Sequence, residues 1–91
     1  MKGSPKVAVV ILNWNGRHHL EQFLPSVTRT AYPNLEIVVG DNASSDGSVA
    51  FIQSHYPGVK IIRNHENYGF AGGYNAVLSQ VEADYFVLLN S

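Results

Sequence analysis

"KVAVVILNWNG", Lys6 to Gly16, decides the fold. After Lys6 comes an unbroken apolar, largely β-branched run that ends at Leu12. A half-buried strand would alternate apolar and polar residues; a continuous run predicts a strand covered on both faces. The switch at Asn13, Trp14, Asn15 and Gly16 is abrupt, and Gly16 suits a tight turn into whatever follows. A strand sandwiched in this way belongs to a parallel sheet with a helix layer on each side.

The rest of the chain alternates in the same manner. "HHLEQFLPSVTRT" places Leu20, Phe23, Leu24 and Val27 at helical spacing, and Pro25 inside that pattern predicts a kink or an early end. "LEIVVG" (Leu35–Gly40) reads as a second strand. "SSDGSVAFIQSHYPG" opens on capping residues, presents Val49, Phe51 and Ile52 on a helical face, and stops at Pro57-Gly58. "VKIIRN" (Val59–Asn64) is a shorter third strand. "GFAGGYNAVLSQV" predicts a third helix with Ala71, Tyr74, Val77, Leu78 and Val81 inward, and "DYFVLLN" predicts a fourth strand. The order is β-α-β-α-β-α-β. Right-handed crossovers then make a three-layer, Rossmann-like parallel sheet with helices on both faces.

Composition narrows the function. With 45% hydrophobic and 14% charged residues in 91, the chain has material for one small core and is not of the disordered class. A net charge of −1, with six Lys and Arg spread singly, offers no basic stripe for nucleic acid. Absence of cysteine removes thiol nucleophiles, disulfides and cysteine-based zinc sites, and fits a reducing, cytoplasmic compartment. His18 and His19 are sequential while His55 and His65 lie in separate turns, so the histidines read as surface residues and not as a metal set. The apolar runs are too short for a membrane span.

In a parallel sheet the carboxyl ends of the strands share one edge, where ligands bind in open α/β folds. Each predicted strand ends in polar residues there: Asn13 and Asn15, Asp41 and Asn42, Asn64 to Asn67, and Asn90 with Ser91. Turn chemistry alone accounts for any one asparagine, but not for the whole set beside Trp14 and Tyr68.

"VVILNWNG", "EIVVGDNASSDGS", "NYGFAGGYNA" and "YFVLLNS" together resemble the amino-terminal, nucleotide-sugar-binding half of glycosyltransferase family 2, nearest its rhamnosyl- and galactosyl-transferase-like members. The resemblance covers Lys6 to Ser91. It implies a GT-A fold and a nucleotide-diphospho-sugar donor. The family's aspartate after the second strand contacts the base, so Asp41 is the candidate reader of a UDP- or dTDP-sugar; a carboxylate can accept N3–H of uracil or thymine. Leu12, Asn13 and Asn15 are candidates for the base and ribose pocket, with Asn42 beside them. Trp14 either stacks on a ligand or covers the edge of the core. Asn67, Gly69, Gly72 and Asn75 belong to the glycine-rich element, which either lets the backbone approach a ligand or packs the helix against the sheet. Many members carry an arginine where Tyr74 stands. Ser44, Ser45 and Asp46 read as helix-capping residues.

The resemblance also implies what lies beyond. In the family the fourth strand leads to an aspartate that binds Mn or Mg on the donor diphosphate, and Asn90 and Ser91 match the first two positions of an N-x-D form. The expectation is therefore a single, incomplete domain over residues 1–91. It would hold no cation itself, and it would lack the half that supplies the catalytic base and binds an acceptor glycan or lipid-linked glycan. The full-length enzyme would be cytoplasmic or peripheral to a membrane. An uncovered apolar run from Phe86 to Leu89 predicts a homo-oligomer. Other α/β classes fit less well: no G-x-G-x-x-G follows the first strand, as a dinucleotide oxidoreductase requires, and no acidic pair, as a receiver domain requires. The remaining alternative is a non-catalytic nucleotide-binding or self-associating module.

Overall fold

The computed structural model describes residues 5–30 and 32–90. Its elements are β1 (Val7–Asn13), α1 (Arg17–Thr28), β2 (Leu35–Asp41), α2 (Ser48–His55), β3 (Lys60–Arg63), α3 (Gly69–Leu78) and β4 (Tyr85–Asn90). The strands form one sheet in the order β3-β2-β1-β4, every pair parallel. Ser91, expected to extend the polar end of β4, lies outside the described residues.

β1 lies inside the sheet and its apolar run is buried on both faces; from Ala8 to Asn13 it is buried throughout. Ala8, Val10 and Leu12 face one side, where they pack with Val38, Ile62 and the α3 residues Tyr74 and Val77. Val9 and Ile11 face the other, against Val39, Leu20 and Leu24 of α1 and Ile52 of α2. The predicted three layers are present. The chain steps from β1 to β2 to β3 with α1 and α2 on one face. It then returns across the sheet to β4 through α3 on the other face. That reversal puts a topological switch point between β1 and β4.

Several local expectations need correction. α1 runs through Pro25 to Thr28. Leu20 and Leu24 are fully buried, and at about 1.5–3 kcal/mol each that burial offsets the roughly 3 kcal/mol a helical proline costs. Thr28 Oγ1 donates to the carbonyl of Leu24 at 2.8 Å and helps close the last turn. Ala71 is exposed rather than inward; the buried stripe of α3 is Gly73, Tyr74 and Val77. β3 is shorter than Val59–Asn64, although both of those residues are buried just beyond its ends.

α3 crosses the sheet at Gly40. A Cβ there would lie 2.3 Å from Val77 Cγ2, so the helix sits as low as it does only because that position has no side chain. Gly40→Ala is expected to lower unfolding stability by about 1–3 kcal/mol through overpacking, measured by urea denaturation. A companion Gly58→Ala, where nothing lies within 4 Å of the added carbon, should leave it nearly unchanged.

Candidate functional site

The carboxyl ends of β1 and β2 are tied together beneath the surface. Asp41 is 1% exposed. Its Oδ1 accepts from Asn13 Nδ2 at 2.9 Å and from the Ser44 hydroxyl at 2.7 Å, and its Oδ2 accepts from the Ser44 amide at 2.9 Å. Asn13, also buried, donates to Ser44 Oγ at 3.1 Å and accepts from the Gly16 amide at 3.2 Å. Asn15 completes the loop. Its amide donates to Ser44 Oγ at 2.9 Å, and its side-chain oxygen accepts from the Ser45 amide at 2.8 Å. Two non-glycine residues of these loops have positive φ, Asn15 at 51° and Ala43 at 62°. Asparagine tolerates that region; alanine adopts it only where its surroundings hold it.

A second buried network joins β2, β3 and α3. Asn42 Oδ1 accepts from Asn64 Nδ2 at 2.7 Å, and Asn42 Nδ2 donates to the carbonyl of Gly69 at 3.1 Å. The Gly69 amide is in turn held by Asn67 Oδ1 at 2.8 Å, with Gly69 at φ +78°. Gly73 lies directly over this pair; a Cβ would meet Asn42 Nδ2 at 2.6 Å and Leu12 Cδ1 at 2.9 Å. Of the two readings of the glycines, close packing accounts for Gly73, and a left-handed turn accounts for Gly69. The buried Tyr74 hydroxyl donates to the carbonyl of Leu89 at 2.5 Å, with Asn90 Oδ1 at 3.4 Å. Burial pushes its phenol up from the ordinary tyrosine value, so it stays a donor.

Asp46 does a separate job. One carboxylate oxygen accepts from the Ser48 amide at 3.0 Å and from the Ser48 hydroxyl. The other accepts from the Arg17 amide at 3.0 Å. One side chain thus caps the first turns of both α1 and α2. Partial burial works against its ionisation, but the hydrogen bonds from Ser48 and the Arg17 amide outweigh it and hold the carboxyl below the ordinary aspartate value.

The sequence candidates therefore divide in two. Leu12, Asn13, Asp41 and Asn42 are buried and shape the edge from below. Asn15, Asn67, Asn75 and Asn90 are exposed on it, together with Trp14, Tyr68 and Phe70. Gly72 is half-buried on α3, and Asn75 stands apart from both networks. Ser44 is no simple cap; it is the hub of the Asp41 network, and its place three residues after Asp41 is the signal that could have shown this. Asn64, omitted from the candidates, is a buried partner of Asn42. Among the described residues no three His, Asp or Glu side chains converge as a metal set, and the carboxylates of Asp41 and Asp46 are occupied by hydrogen bonds. Among the described residues, neither of these two carboxylates is left free to hold a divalent cation. Two sizeable hollows lie at the opposite, amino-terminal edge of the sheet, one by Lys6 and Asp84 and one by Leu35 and Val59.

A family model described as glycosyl transferase family 2 matches residues 8–91. The chain belongs to glycosyltransferase family 2. Within the family it is similar to the putative glycosyltransferase EpsE of Bacillus subtilis, at 32% identity over 93% of this chain and 32% of that protein. It is also similar to the N-acetylglucosaminyl-diphospho-decaprenol L-rhamnosyltransferase of Mycobacterium tuberculosis, at 27% identity over 80% of this chain and 24% of that protein. Among solved structures it matches the mannosyltransferase PcManGT of Pyrobaculum calidifontis in complex with GDP-Man and Mn2+. There the TM-score is 0.84 and the identity 26%, over 94% of this chain and 27% of that one. S. aureus TarS 1–349 in complex with UDP-GlcNAc shares the fold at TM-score 0.82 and 22% identity, over 93% of this chain and 26% of that one. The chain thus spans about a quarter to a third of the length of the family members it matches.

The cap residue gives a pH-dependent test. Asp46→Ala removes partners from two helix N-termini and should cost about 1–2 kcal/mol at neutral pH. Because folding lowers the Asp46 pKa, its stabilisation is complete above the ordinary value of 3.8 and is lost as pH falls through the lower folded value. Denaturation curves of wild type and Asp46→Asn should therefore differ at pH 7 and converge in acid; a gap that persists in acid would contradict this assignment.

Proposed function

We propose that this chain is the nucleotide-diphospho-sugar-binding half of an inverting glycosyltransferase that transfers a sugar to an acceptor hydroxyl. The observation that carries the reading is the convergence at the switch point. The ends of β1, β2 and β4 and the first turn of α3 meet there, over buried amides and beneath exposed aromatic rings. α3 turns its amino-terminal end, with the positive end of its dipole, to the edge where a diphosphate would lie. Trp14 and Tyr68 offer flat apolar faces to a base, and Asn15, Asn67 and Asn90 offer amides to ribose and sugar hydroxyls. The glycosyltransferase relatives support the reaction class, and the GDP-Man complex of PcManGT supports a nucleotide-sugar donor.

The donor is a UDP- or dTDP-sugar in this reading, with Asp41 as the base reader. At 1% exposure its carboxylate reaches N3–H only if the turn at 42–45 opens and the Ser44 amide releases Oδ2. Before that, Asp41 acts as the organiser of the pocket floor. The Mn or Mg that accompanies the diphosphate, the base that deprotonates the acceptor, and the groove for an acceptor glycan or lipid-linked glycan all belong to further residues. Attack from the face opposite the leaving diphosphate inverts the anomeric centre. The working location is the cytoplasm, peripheral to a membrane where the acceptor is lipid-linked.

Titration calorimetry with UDP, dTDP, CDP and GDP tests the donor. UDP and dTDP should bind weakly but more tightly than the others. Asp41→Asn should erase about tenfold of that preference, the worth of one charge-assisted hydrogen bond, with circular dichroism to check the fold. Equal affinity for all four nucleotides, untouched by the substitution, would remove the base-reading role.

A further prediction concerns turnover. The 91 residues alone, supplied with Mn or Mg and a sugar nucleotide, should neither transfer nor hydrolyse the sugar, because among the described residues no metal set converges and the reading assigns the cation and the base to further residues. Turnover above a buffer control, abolished by Asp41→Ala, would show that the further residues are dispensable.

A further inference from the structure

Asn42 and Asn64 are buried amides that stability alone does not call for. An apolar pair of similar shape would serve a core as well, since exchanging both partners of a buried hydrogen bond for apolar groups is nearly neutral. What amides add is polarity. Each has a donor end and an acceptor end, so a chain of them carries orientation from one element to the next.

The polarity here is fixed by the last member of the chain. The carbonyl of Gly69 can only accept, so the end of the Asn42 side chain that faces it, at 3.1 Å, is Nδ2. Asn42 Oδ1 then faces Asn64, which presents its own Nδ2 at 2.7 Å. Both backbones are pinned as well. The Asn42 amide donates to the carbonyl of Asn13 and the Asn64 amide to the carbonyl of Asp41, each at 2.8 Å. Asn42 is 2% exposed and Asn64 8%, so water competes little for either side chain. A relay thus runs from the end of β3, through the end of β2, to the first residue of α3.

Gly69 is the receiving end. Its N–H is held by Asn67 Oδ1 and its carbonyl by Asn42. With φ at +78° and open space where a Cβ would stand, it is the point of the turn most free to rotate without those two bonds. No peptide bond is cis, so the carbonyl of Gly69 and the N–H of Phe70 point in opposite directions within one plane. Drawing the carbonyl to Asn42 therefore aims the Phe70 N–H out of the first turn, toward the carboxyl edge. The first N–H groups of a helix have no partner inside it, so what lies outside the helix sets their use.

We propose that Asn64 and Asn42 are a positioning pair for the donor nucleotide: together they set the carbonyl of Gly69 and with it the direction of the first N–H groups of α3. The donor half of this inference rests on the reading of the carboxyl edge as a nucleotide-sugar site; the relay itself does not.

Asn64→Asp tests it, because that substitution changes polarity and not shape. At neutral pH the new carboxylate can only accept, so the Asn42 amide turns over to donate to it and takes Nδ2 away from Gly69. In amide proton–nitrogen spectra the signals of Gly69, Phe70 and Ala71 should move, although the substitution lies at the end of β3. UDP affinity should fall about tenfold, the worth of one hydrogen bond, and affinity for uridine, which has no diphosphate, by less than about threefold. Burial raises the pKa of a carboxyl group, so lowering the pH toward about 5 protonates it. Its O–H then donates to Asn42 Oδ1, and both the α3 signals and the UDP affinity should return toward wild type. Wild type followed over the same range accounts for His65, Glu66 and the diphosphate itself. Asn64→Ala should move the α3 signals less than Asn64→Asp does, because without a competing acceptor Nδ2 still favours Gly69; a merely structural role predicts the reverse. In an Asn42→Ala background Asn64→Asp should leave α3 unmoved, since the relay is already cut. Should Asn64→Asp not fold at neutral pH, Asn42→Asp, which cuts the last bond, decides by the same shifts and the same recovery. Shifts confined to β3 and the turn at 64–67, a larger effect of Asn64→Ala on α3, or no recovery in acid would overturn the relay. Unchanged UDP affinity in a variant whose α3 signals have moved would overturn its part in donor binding. A wild type that binds no UDP fails the nucleotide reading instead, and the amide signals still decide the relay.

Discussion

Everything at the carboxyl edge depends on how a nearly inaccessible Asp41 carboxylate is satisfied. A buried carboxyl group without hydrogen bonds would cost several kcal/mol. Asp41 avoids that by taking donors from β1, through Asn13, and from its own turn, through Ser44. The consequence runs outward. Asn13 must stay in register with Asp41, which the parallel ladder arranges. Ser44 must fold back over the end of β2, and Asn15 must follow it so that its amide meets the Ser44 hydroxyl. The positive φ of Ala43 is the local cost of that turn, of order 1–2 kcal/mol. The loop after β1 and the loop after β2 are therefore one unit, and a change in either is felt in both.

The layer architecture was legible because apolar runs and helical stripes carry it directly. Val7–Leu12 can only be a strand covered twice, and Leu20 with Leu24 can only face inward. Pro25 does not end α1, because its cost is local while the burial that offsets it is tertiary. Ala71 misled because a helix rich in glycine and alanine presents several plausible stripes; the choice falls to Gly73, which alone lets the helix lie against Asn42 and Leu12. Single-residue chemistry was harder still. Ser44 and Asp46 both look like caps in "SSDGS", yet one serves a buried carboxylate on β2 and the other serves two helices. Only the relative placement of β1 and β2 separates them. Asn64 was seen at the right edge but not as the partner of Asn42, since a pairing of two amides 22 positions apart leaves no trace in spacing.

The buried and exposed candidates play different chemical parts. A group that contacts a ligand needs free surface; a group that fixes the shape of a pocket needs none. Asn13, Asp41, Asn42 and Asn64 are spent on one another, so their substitution changes the edge as a whole. Asn15, Trp14, Asn67 and Tyr68 stand on that floor with surface to spare. Close approach of α3 reinforces the division. The helix can sit against Asn42 only because Gly73 lacks a side chain, and the same approach brings the Tyr74 hydroxyl to the carbonyl of Leu89. At this point the chain uses a neutral donor, the Tyr74 hydroxyl, to fasten the end of β4.

That fastening also orders the carboxyl end of the strand. β4 is held by β1 on one side and by Tyr74 at its carboxyl end, so its backbone is ordered before any further partner arrives. Preorganisation of this kind lowers the entropic cost of binding at the carboxyl edge, because only the ligand's freedom remains to be lost. The same rigidity constrains Asn90 at the switch point, one residue beyond the carbonyl that Tyr74 grips. A ligand on the carboxyl edge would therefore meet an ordered strand end, through the terminal amide of Asn90.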